Sequence, residues 1–225
     1  MSEKPWDGRF AEKTDAAVEA FTSSIDFDKR LYQYDIDGSI AHCKMLAKAA
    51  IITDDESTSL INGLEKIRIE IREGNFEFSD SLEDIHMHIE NRLAAHVGNV
   101  SRKIHTARSR NDQVALDIRL YLRDKSRSII YGLVQLRKVL SEMAGCYIEV
   151  VLARYTHLPR GQPVLFSHHL MDSSVMFTKE TCHFVEGLLL VKVMLRGAGA
   201  LAGTTHTIEH ALTASHLDFA EFFVN

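Results

Sequence analysis

The sequence contains few residues that interrupt helices: only three of its 225 residues are proline, at positions 5, 159 and 163. Proline removes a backbone donor and breaks a helix interior, so the long proline-free interval favours long helices. No segment shows the alternation of apolar and polar residues that marks a half-buried strand. We therefore predict an all-α fold.

Cysteine is equally scarce. Cys43, Cys146 and Cys182 are odd in number, lie far apart and show no C-x-x-C spacing. This pattern argues against a disulfide framework or a zinc ribbon. We interpret the three as buried, reduced thiols of a cytoplasmic protein.

Long apolar runs and a strong charge of one sign are also missing. No stretch of ~18 apolar residues occurs, which excludes an obvious membrane span, and the first residues lack the apolar segment of a secretory signal. The formal net charge of −5 argues against a general nucleic-acid or membrane-surface binder.

Apolar residues recur at helical spacing along most of the chain. We predict helices over about 27–50, from an N-cap at Thr53 to about 71, and from a capping box at 81–84 to about 97. Residues 99–112 are interpreted as a loop. A helix of ~40 residues then runs from 112 to about 152, ~60 Å at 1.5 Å per residue.

The remaining predicted elements follow a second loop at 154–163, in which Pro163 suits the first turn of a helix running to about 195. A glycine-rich turn at 197–203 and a short helix at about 208–219 complete the pattern. The predicted organisation is a small N-terminal helical domain, 1–112, followed by the first long helices of a central helical bundle, 113–225.

Three polar segments interrupt the helices and could carry chemistry. Residues 101–113 hold five basic or histidine side chains, and guanidinium groups suit carboxylates, although a solvated basic loop has the same composition. His157 lies on a predicted loop and can serve in acid–base work. His86 and Glu90, four apart on a helix, resemble part of a metal site; a hydrogen-bonded pair is the simpler interpretation, since no third ligand is evident.

The glycine-rich run at 197–203 does not predict a dinucleotide site. Its spacing is G-x-G-x-x-x-G, it follows a predicted helix, and no βαβ unit surrounds it. A close-packed turn between bundle helices fits it better.

These segments together resemble the argininosuccinate lyase family of the fumarase/aspartase superfamily, in family order from residue 6 to 204. Residues 105–113 read H-T-A-R-S-R-N-D-Q, one change from the family's H-T-G-R-S-R-N-D-Q. Further matches lie at 6–10, 24–31, 35–39, 83–86, 155–163 and 197–204.

The resemblance implies an enzyme that cleaves argininosuccinate to arginine and fumarate by β-elimination, in arginine biosynthesis, with no metal or organic cofactor. It implies a homotetramer whose active sites draw on three subunits. His157 corresponds to the acid–base histidine, with Thr156 beside it in the catalytic and substrate-binding motif. The other positions assigned to substrate binding are Ser24, Arg108, Ser109, Asn111 and Gln162.

The sequence also departs from the family pattern. Ala107 replaces a glycine, Arg154 replaces the glycine before Tyr155, and Pro159 replaces a glutamine. The family pattern continues past residue 225 to a loop whose serine is the second acid–base group, and no such motif occurs here. We therefore expect the chain alone to be inactive.

Three alternatives stay open at this point. One is another lyase of the superfamily, of the adenylosuccinate lyase, fumarase or aspartase type, which the arginine-loop sequence disfavours. Another is a non-catalytic, δ-crystallin-like structural protein. The last, an RNA-binding helical scaffold, is disfavoured by the net charge of −5 and by the lack of interleaved aromatic residues in the basic loop.

Overall fold

The computed structural model describes residues 14–195, 203–219 and 221–223. The predicted family motif at 6–10 and all but the last residue of the glycine-rich run, at 197–202, lie outside the described residues. The α-helices are α1 Ala16–Thr22, α2 Ile25–Asp28, α3 Tyr32–Lys48, α4 Asp54–Arg72, α5 Ile85–Val97, α6 Arg110–Cys146, α7 Phe166–Val191 and α8 His210–His216. The strands are β1 Val151–Tyr155, β2 Arg160–Leu165, β3 Val193–Leu195 and β4 Glu221–Phe223.

The chain forms two compact units. The first comprises Met1–Tyr121 and Val193–Asn225, and the second comprises Leu122–Lys192. The predicted all-helical class is confirmed, since helices dominate both units. The compact units divide the chain differently from the predicted domains, whose boundary at residue 112 stays a prediction.

Local capping residues explain where the helices of the first unit begin. Thr53 is the N-cap of α4, as predicted, and it also forms a capping box with Glu56, in which each side chain accepts the other's backbone N–H. The capping box predicted at 81–84 is wrong. Asp84 is itself the N-cap of α5 and accepts the amide of Met87 at 2.7 Å, because residues 80–82 are already in a 3-10 helix.

The core of the first unit lies between α3, α4 and α5. Its fully buried side chains come from the apolar faces that the periodicity predicts: Ile36, Leu46, Leu60, Leu64, Ile67, Ile85, Ile89 and Leu93. Gly38 allows α6 to lie close to α3, since a Cβ at this position would be 2.9 Å from Leu116 Cδ2. This close approach packs the first turns of α6 against α3.

The segment predicted as a loop at 99–112 is largely helical. Residues Gly98–His105 form a 3-10 helix, and α6 begins at Arg110. Helix α6 has 37 residues, which is about 55 Å at 1.5 Å per residue. It ends at Cys146, six residues before the predicted end, because β1 begins at Val151.

The second predicted loop, at 154–163, is a β-hairpin. Strands β1 and β2 pair antiparallel, with Val151 opposite Leu165 and Tyr155 opposite Arg160. Pro163 lies in β2 opposite Ala153 and not in the first turn of α7. A two-stranded ribbon tolerates proline because each strand has an edge without a partner.

The second unit leaves many large apolar side chains exposed on its long helices. Those of α6 and α7 that are at least two-fifths exposed include Ile129, Tyr131, Val134, Leu136, Val139, Val175, Met176, Leu189 and Leu190. Buried side chains are few within this unit; Ala144 and Leu170 are examples. An apolar surface of this extent is typical of a region that is covered in an assembly.

Two smaller expectations also need correction. Cys43 is buried as predicted, but Cys146 and Cys182 are exposed; all three are free thiols. Helix α7 ends at Val191, and residues 193–195 form a short parallel pair with residues 221–223.

Within the described ranges, the apolar stretches of the helices are all too short or too polar to cross a membrane.

Candidate active site

The arginine-rich segment at 105–113 is bound by Glu90 of α5. Glu90 Oε1 accepts hydrogen bonds from Arg110 Nη1 at 3.0 Å and from His105 Nδ1 at 3.3 Å. Burial alone would raise the pKa of Glu90, but the His105 bond and the charge of Arg110 outweigh it and lower the pKa to about 2. Glu90 is therefore ionised wherever the protein is folded near neutral pH.

Helix α3 also forms hydrogen bonds with the same segment. His42 Nε2 donates to the carbonyl oxygen of Thr106 at 2.9 Å, and Arg108 Nη1 donates to Ser39 Oγ at 3.2 Å. Arg108 is buried, and its Nε and Nη2 atoms have no hydrogen-bond partner among the residues that the structure describes. The side chain of Arg108, a predicted binding residue, is thus buried against α3. Its contact with substrate stays a prediction.

Ala107, between these two anchors, adopts φ +58°. This is the left-handed region, which costs a residue with a Cβ about 1 kcal/mol relative to glycine. The family pattern, which has a glycine at this position, already pointed to such a conformation. The strain is retained because Thr106 and Arg108 are both fixed to α3.

The first turn of α6 presents two predicted binding residues. Ser109 Oγ accepts the backbone N–H of Asn111 at 3.3 Å, which leaves the hydroxyl hydrogen of Ser109 available to another acceptor. Asn111 is exposed and Ser109 is half-buried. The backbone N–H of Ser109 donates to Asp112 Oδ2 at 2.9 Å, so the donors left for a ligand here are the Ser109 hydroxyl and the side-chain amide of the exposed Asn111.

Ser24, unlike Ser109, uses its hydroxyl hydrogen within the fold. Its backbone N–H donates to the carbonyl oxygen of Glu83 at 2.8 Å, and its hydroxyl donates to Asp28 Oδ2 at 2.5 Å. Asp28 is buried, and its Oδ1 atom has no hydrogen-bond partner among the described residues. The half-buried Ser24 Oγ therefore has only lone pairs left for a ligand.

A buried ionisable cluster joins α3, α5 and α6 within the first unit. His86 Nε2 donates to Asp117 Oδ2 at 2.8 Å and lies 3.9 Å from Asp35 Oδ1, which also accepts from Gln113 at 3.2 Å. Burial and the charge of Asp35 raise the pKa of Asp117. Burial lowers the pKa of His86, but Asp35 and Asp117 outweigh it and raise it.

This cluster replaces the predicted His86–Glu90 pair, which is wrong because the two side chains have different partners. Ligand atoms of Asp35, His86 and Asp117 all lie within 4.8 Å of one another, so the three could also hold a metal ion. The 2.8 Å contact is a good hydrogen bond. We therefore interpret the three as a proton-sharing cluster.

The other predicted site residues lie on the hairpin of the second unit. Thr156 and His157 form its exposed tip, where the backbone N–H of Thr156 donates to the Pro159 carbonyl at 3.1 Å and His157 has φ +55°. Gln162 is exposed on β2. In this position the side chain of His157 is exposed.

The structure thus gathers the predicted residues into two groups. The first group, in the first unit, comprises Ser24, Arg108, Ser109 and Asn111; the second group, on the hairpin of the second unit, comprises Thr156, His157 and Gln162. No observation tests their catalytic or binding roles, which stay predictions.

Sequence reasoning missed several residues that shape the first group. Asp84 lies 3.6 Å from Arg110 Nε, and Asp28 and Asp117 hold Ser24 and His86. A signal for Asp117 was available: it is a charged residue between Leu116 and Leu120, which are both buried on α6. A carboxylate among buried apolar residues predicts a buried partner.

Comparison with known proteins defines the class of this fold and site. A family model described as "Lyase" matches residues 8–223, and the chain belongs to this lyase family. Among its relatives are proteins named argininosuccinate lyase. That of Desulfatibacillum aliphaticivorans is 55% identical over 216 residues, covering 96% of this chain and 46% of the relative. That of Syntrophotalea carbinolica is 52% identical, covering 97% and 48%.

Solved structures agree with the helical lyase fold. An EDDS lyase in complex with formate superposes with a TM-score of 0.77 at 26% identity, over 96% of this chain and 43% of that one. A fumarate lyase:delta crystallin from Brucella melitensis gives a TM-score of 0.72 at 15% identity over 97% and 50%, and shows the fold alone. The chain spans about half the length of the curated relatives it matches.

Proposed function

We propose that this chain supplies part of the active site of an argininosuccinate lyase, which releases fumarate and arginine by β-elimination. The observation that carries the proposal is the identity of 48–55% to proteins of that name across nearly the whole chain. The accessible donors at the start of α6 support it, since the substrate carries carboxylates at the reacting end.

The proposed roles follow from the chemistry of elimination. A base removes a proton beside a carboxylate, and negative charge builds up on that carboxylate in the transition state. Ser109 and Asn111, at a helix N-terminus, suit the stabilisation of such charge. His157, with Thr156 beside it, is proposed as an acid–base group, and Gln162 and Ser24 as binding residues.

We further propose that the active protein is a homotetramer and that each site is shared between subunits. The exposed apolar side chains of α6 and α7 support self-association. The second acid–base group would come from a part of the relatives that this chain does not match.

A chimera tests the proposal: this chain joined to the remaining half of the Desulfatibacillum relative, assayed for fumarate release from argininosuccinate. We expect turnover by the chimera and none above background by the chain alone. His157→Asn should lower kcat about 10²–10⁴-fold, while His169→Asn, an exposed histidine of the same unit, should have little effect. A folded, tetrameric chimera without activity would favour a non-catalytic structural protein. Turnover of adenylosuccinate or malate instead would change the substrate.

A further inference from the structure

His88 is a polar residue on the buried face of α5. It lies three residues after Ile85 and next to Ile89, and only 1% of its surface is exposed. A polar side chain in such a position needs hydrogen-bond partners inside the fold. Both of the partners that His88 finds belong to the segment that leads into the helix.

The two ring nitrogens of His88 bind opposite kinds of backbone group. Nδ1 donates to the carbonyl oxygen of Asp84 at 2.7 Å, and Nε2 accepts the backbone N–H of Ser79 at 2.9 Å. A carbonyl oxygen only accepts and a backbone N–H only donates, so these partners require a neutral ring with its hydrogen on Nδ1. One imidazole therefore joins the two ends of residues 79–84, which we call the platform.

The platform contains a strained turn. The backbone N–H of Asp84 donates to the carbonyl oxygen of Leu82 at 2.6 Å, and Glu83 between them has φ +59° and ψ −62°. These angles define the rare type of γ-turn, which is strained for a residue with a Cβ. Such a conformation persists only where the surrounding structure holds it. His88 holds the chain on both sides of Glu83.

The carbonyl group of the strained residue holds Ser24. The carbonyl oxygen of Glu83 accepts the backbone N–H of Ser24 at 2.8 Å. The hydroxyl of Ser23 also contacts the platform, at 3.4 Å from Asp80 Oδ1 and 3.5 Å from the Glu83 carbonyl oxygen. Relaxation of the turn would rotate this carbonyl group and remove the acceptor of Ser24. The position of Ser24 therefore depends on His88 through the platform.

The two hydrogen bonds of the imidazole contribute unequally to this support. Asp84 is also fixed by α5, since its side chain accepts the amide of Met87 at 2.7 Å and its carbonyl oxygen accepts the amide of His88 at 3.2 Å. At the other end, Phe78 packs on the imidazole with 5.5 Å between ring centroids, but it is 39% exposed. The platform thus depends more on the bond from Ser79 to Nε2.

We propose that His88 is a positioning residue of the proposed active site. Its neutral imidazole holds the platform, keeps Glu83 in the strained turn and so places Ser24 for substrate binding. The inference rests on the proposed function for the role of Ser24. The link from His88 to Ser24 is a property of the fold and is measurable without substrate.

Two amide side chains of different length separate the two hydrogen bonds. The longer side chain of His88→Gln can bring its oxygen to the position of Nε2 and accept the amide of Ser79, whereas that of His88→Asn reaches only the position of Nδ1. In hydrogen exchange of this chain, His88→Asn should accelerate exchange of the Ser24 amide about tenfold, as expected for one lost hydrogen bond. His88→Gln should keep the exchange rate within about threefold of the parent.

Ile67→Val is the control for a general loss of stability. It shortens a fully buried side chain of the same core. Because the Ser24 amide exchanges by local opening of the platform, this control should leave its exchange rate within about twofold of the parent.

Kinetics of the chimera test whether the link matters for substrate. His88→Asn should raise KM for argininosuccinate about three- to tenfold with kcat within about twofold, because a binding residue is displaced. His88→Gln should restore KM. A purely structural role would reduce the amount of folded enzyme, and so the apparent kcat, at an unchanged KM. Ile67→Val should follow that second pattern.

The parent chain decides the matter if His88→Asn does not fold. NMR of histidine labelled at its ring nitrogens should show Nδ1 protonated and Nε2 unprotonated, with a coupling from Nε2 to the amide nitrogen of Ser79. A hydrogen on Nε2 would overturn the inference. So would equal acceleration of Ser24 exchange by the two His88 variants, unchanged exchange in His88→Asn, or faster exchange without a change of KM. An inactive parent chimera would instead reject the proposed function, and the exchange rates would still show whether His88 positions Ser24.

Discussion

The imidazole of His42 holds the carbonyl oxygen of Thr106 at 2.9 Å across 64 residues of sequence. Together with the Arg108–Ser39 bond, this contact fixes the loop on both sides of Ala107. The left-handed conformation of Ala107 is thus imposed by tertiary contacts, against the preference of the residue itself.

Replacing Ala107 by glycine should therefore raise the free energy of unfolding. The φ of +58° favours glycine by about 1 kcal/mol, less the extra entropy that glycine brings to the unfolded chain. Urea denaturation measures the difference. Ala95→Gly, at an exposed position in the last turn of α5, is the matched control and should lower stability by up to about 1 kcal/mol. A loss of stability at both positions would contradict the strain at Ala107.

Glu90 should make the fold sensitive to acid. Its pKa lies at about 2 in the fold, below the usual 4.5, so its contribution is present above pH 4.5 and is lost as pH falls toward 2. At 1.36 kcal/mol per pKa unit, the contribution is about 3 kcal/mol. Glu90→Gln should remove it at pH 7 and flatten the profile between pH 4.5 and 2, as measured by denaturation at each pH.

Glu56→Gln is the control for this profile. Lys103 lowers the pKa of Glu56, as Arg110 and His105 lower that of Glu90, but solvent screens this exposed pair. Glu56→Gln should change the free energy of unfolding between pH 4.5 and 2 clearly less than Glu90→Gln does. Equal profiles for the two variants would mean that Glu90 is not held by the loop.

The Asp35–His86–Asp117 cluster should make the free energy of unfolding fall as the pH rises above neutrality. The pKa of His86 is raised above its usual 6.5, so its stabilisation is present below pH 6.5 and is lost as pH rises through the folded pKa. The raised pKa of Asp117 has the same sign. The charged and polar groups near the cluster include Asp28, Asp84, Arg108, Arg110 and Gln113.

Asp117→Asn should lower the free energy of unfolding at pH 6 by about 2–4 kcal/mol, because it breaks a buried, charged hydrogen bond. The decline of stability above pH 6.5 should become shallower than in the parent. Asp124→Asn, an exposed position on the same helix, should leave both quantities unchanged. An unaltered alkaline slope in Asp117→Asn would show that the cluster does not share a proton.

The contrast between two capping predictions shows what local sequence determines. Thr53 and Glu56 satisfy each other within one turn, so their capping box was predictable from four residues. At 81–84 the same pattern failed, because Asp84 takes the N-cap while Ser79 already caps the preceding 3-10 turn. Two overlapping capping signals cannot be ranked without the tertiary position of the chain.

The sequence predicted which residue types form the candidate site. It did not predict which of them donate and which accept hydrogen bonds. The family pattern located Ser24 and Ser109, but the direction in which each hydroxyl hydrogen-bonds depends on Asp28 and on the backbone N–H of Asn111. His86 was paired with Glu90 because they are four residues apart, whereas its hydrogen-bond partner lies 31 residues away. The hairpin at 151–165 was missed because its strands are exposed on both faces and carry no alternation.

The exposed apolar side chains of the second unit should make the chain self-associate. Val139, on α6, is 50% exposed, and placing a charge in a buried interface costs several kcal/mol. Val139→Lys should therefore shift light-scattering mass at micromolar concentration toward the monomer. Ser141→Lys adds the same charge to the same helix, about 200° away around its axis, and should shift the mass less. A parent chain that is already monomeric would contradict the interface, and equal shifts in the two variants would place it elsewhere on the helix.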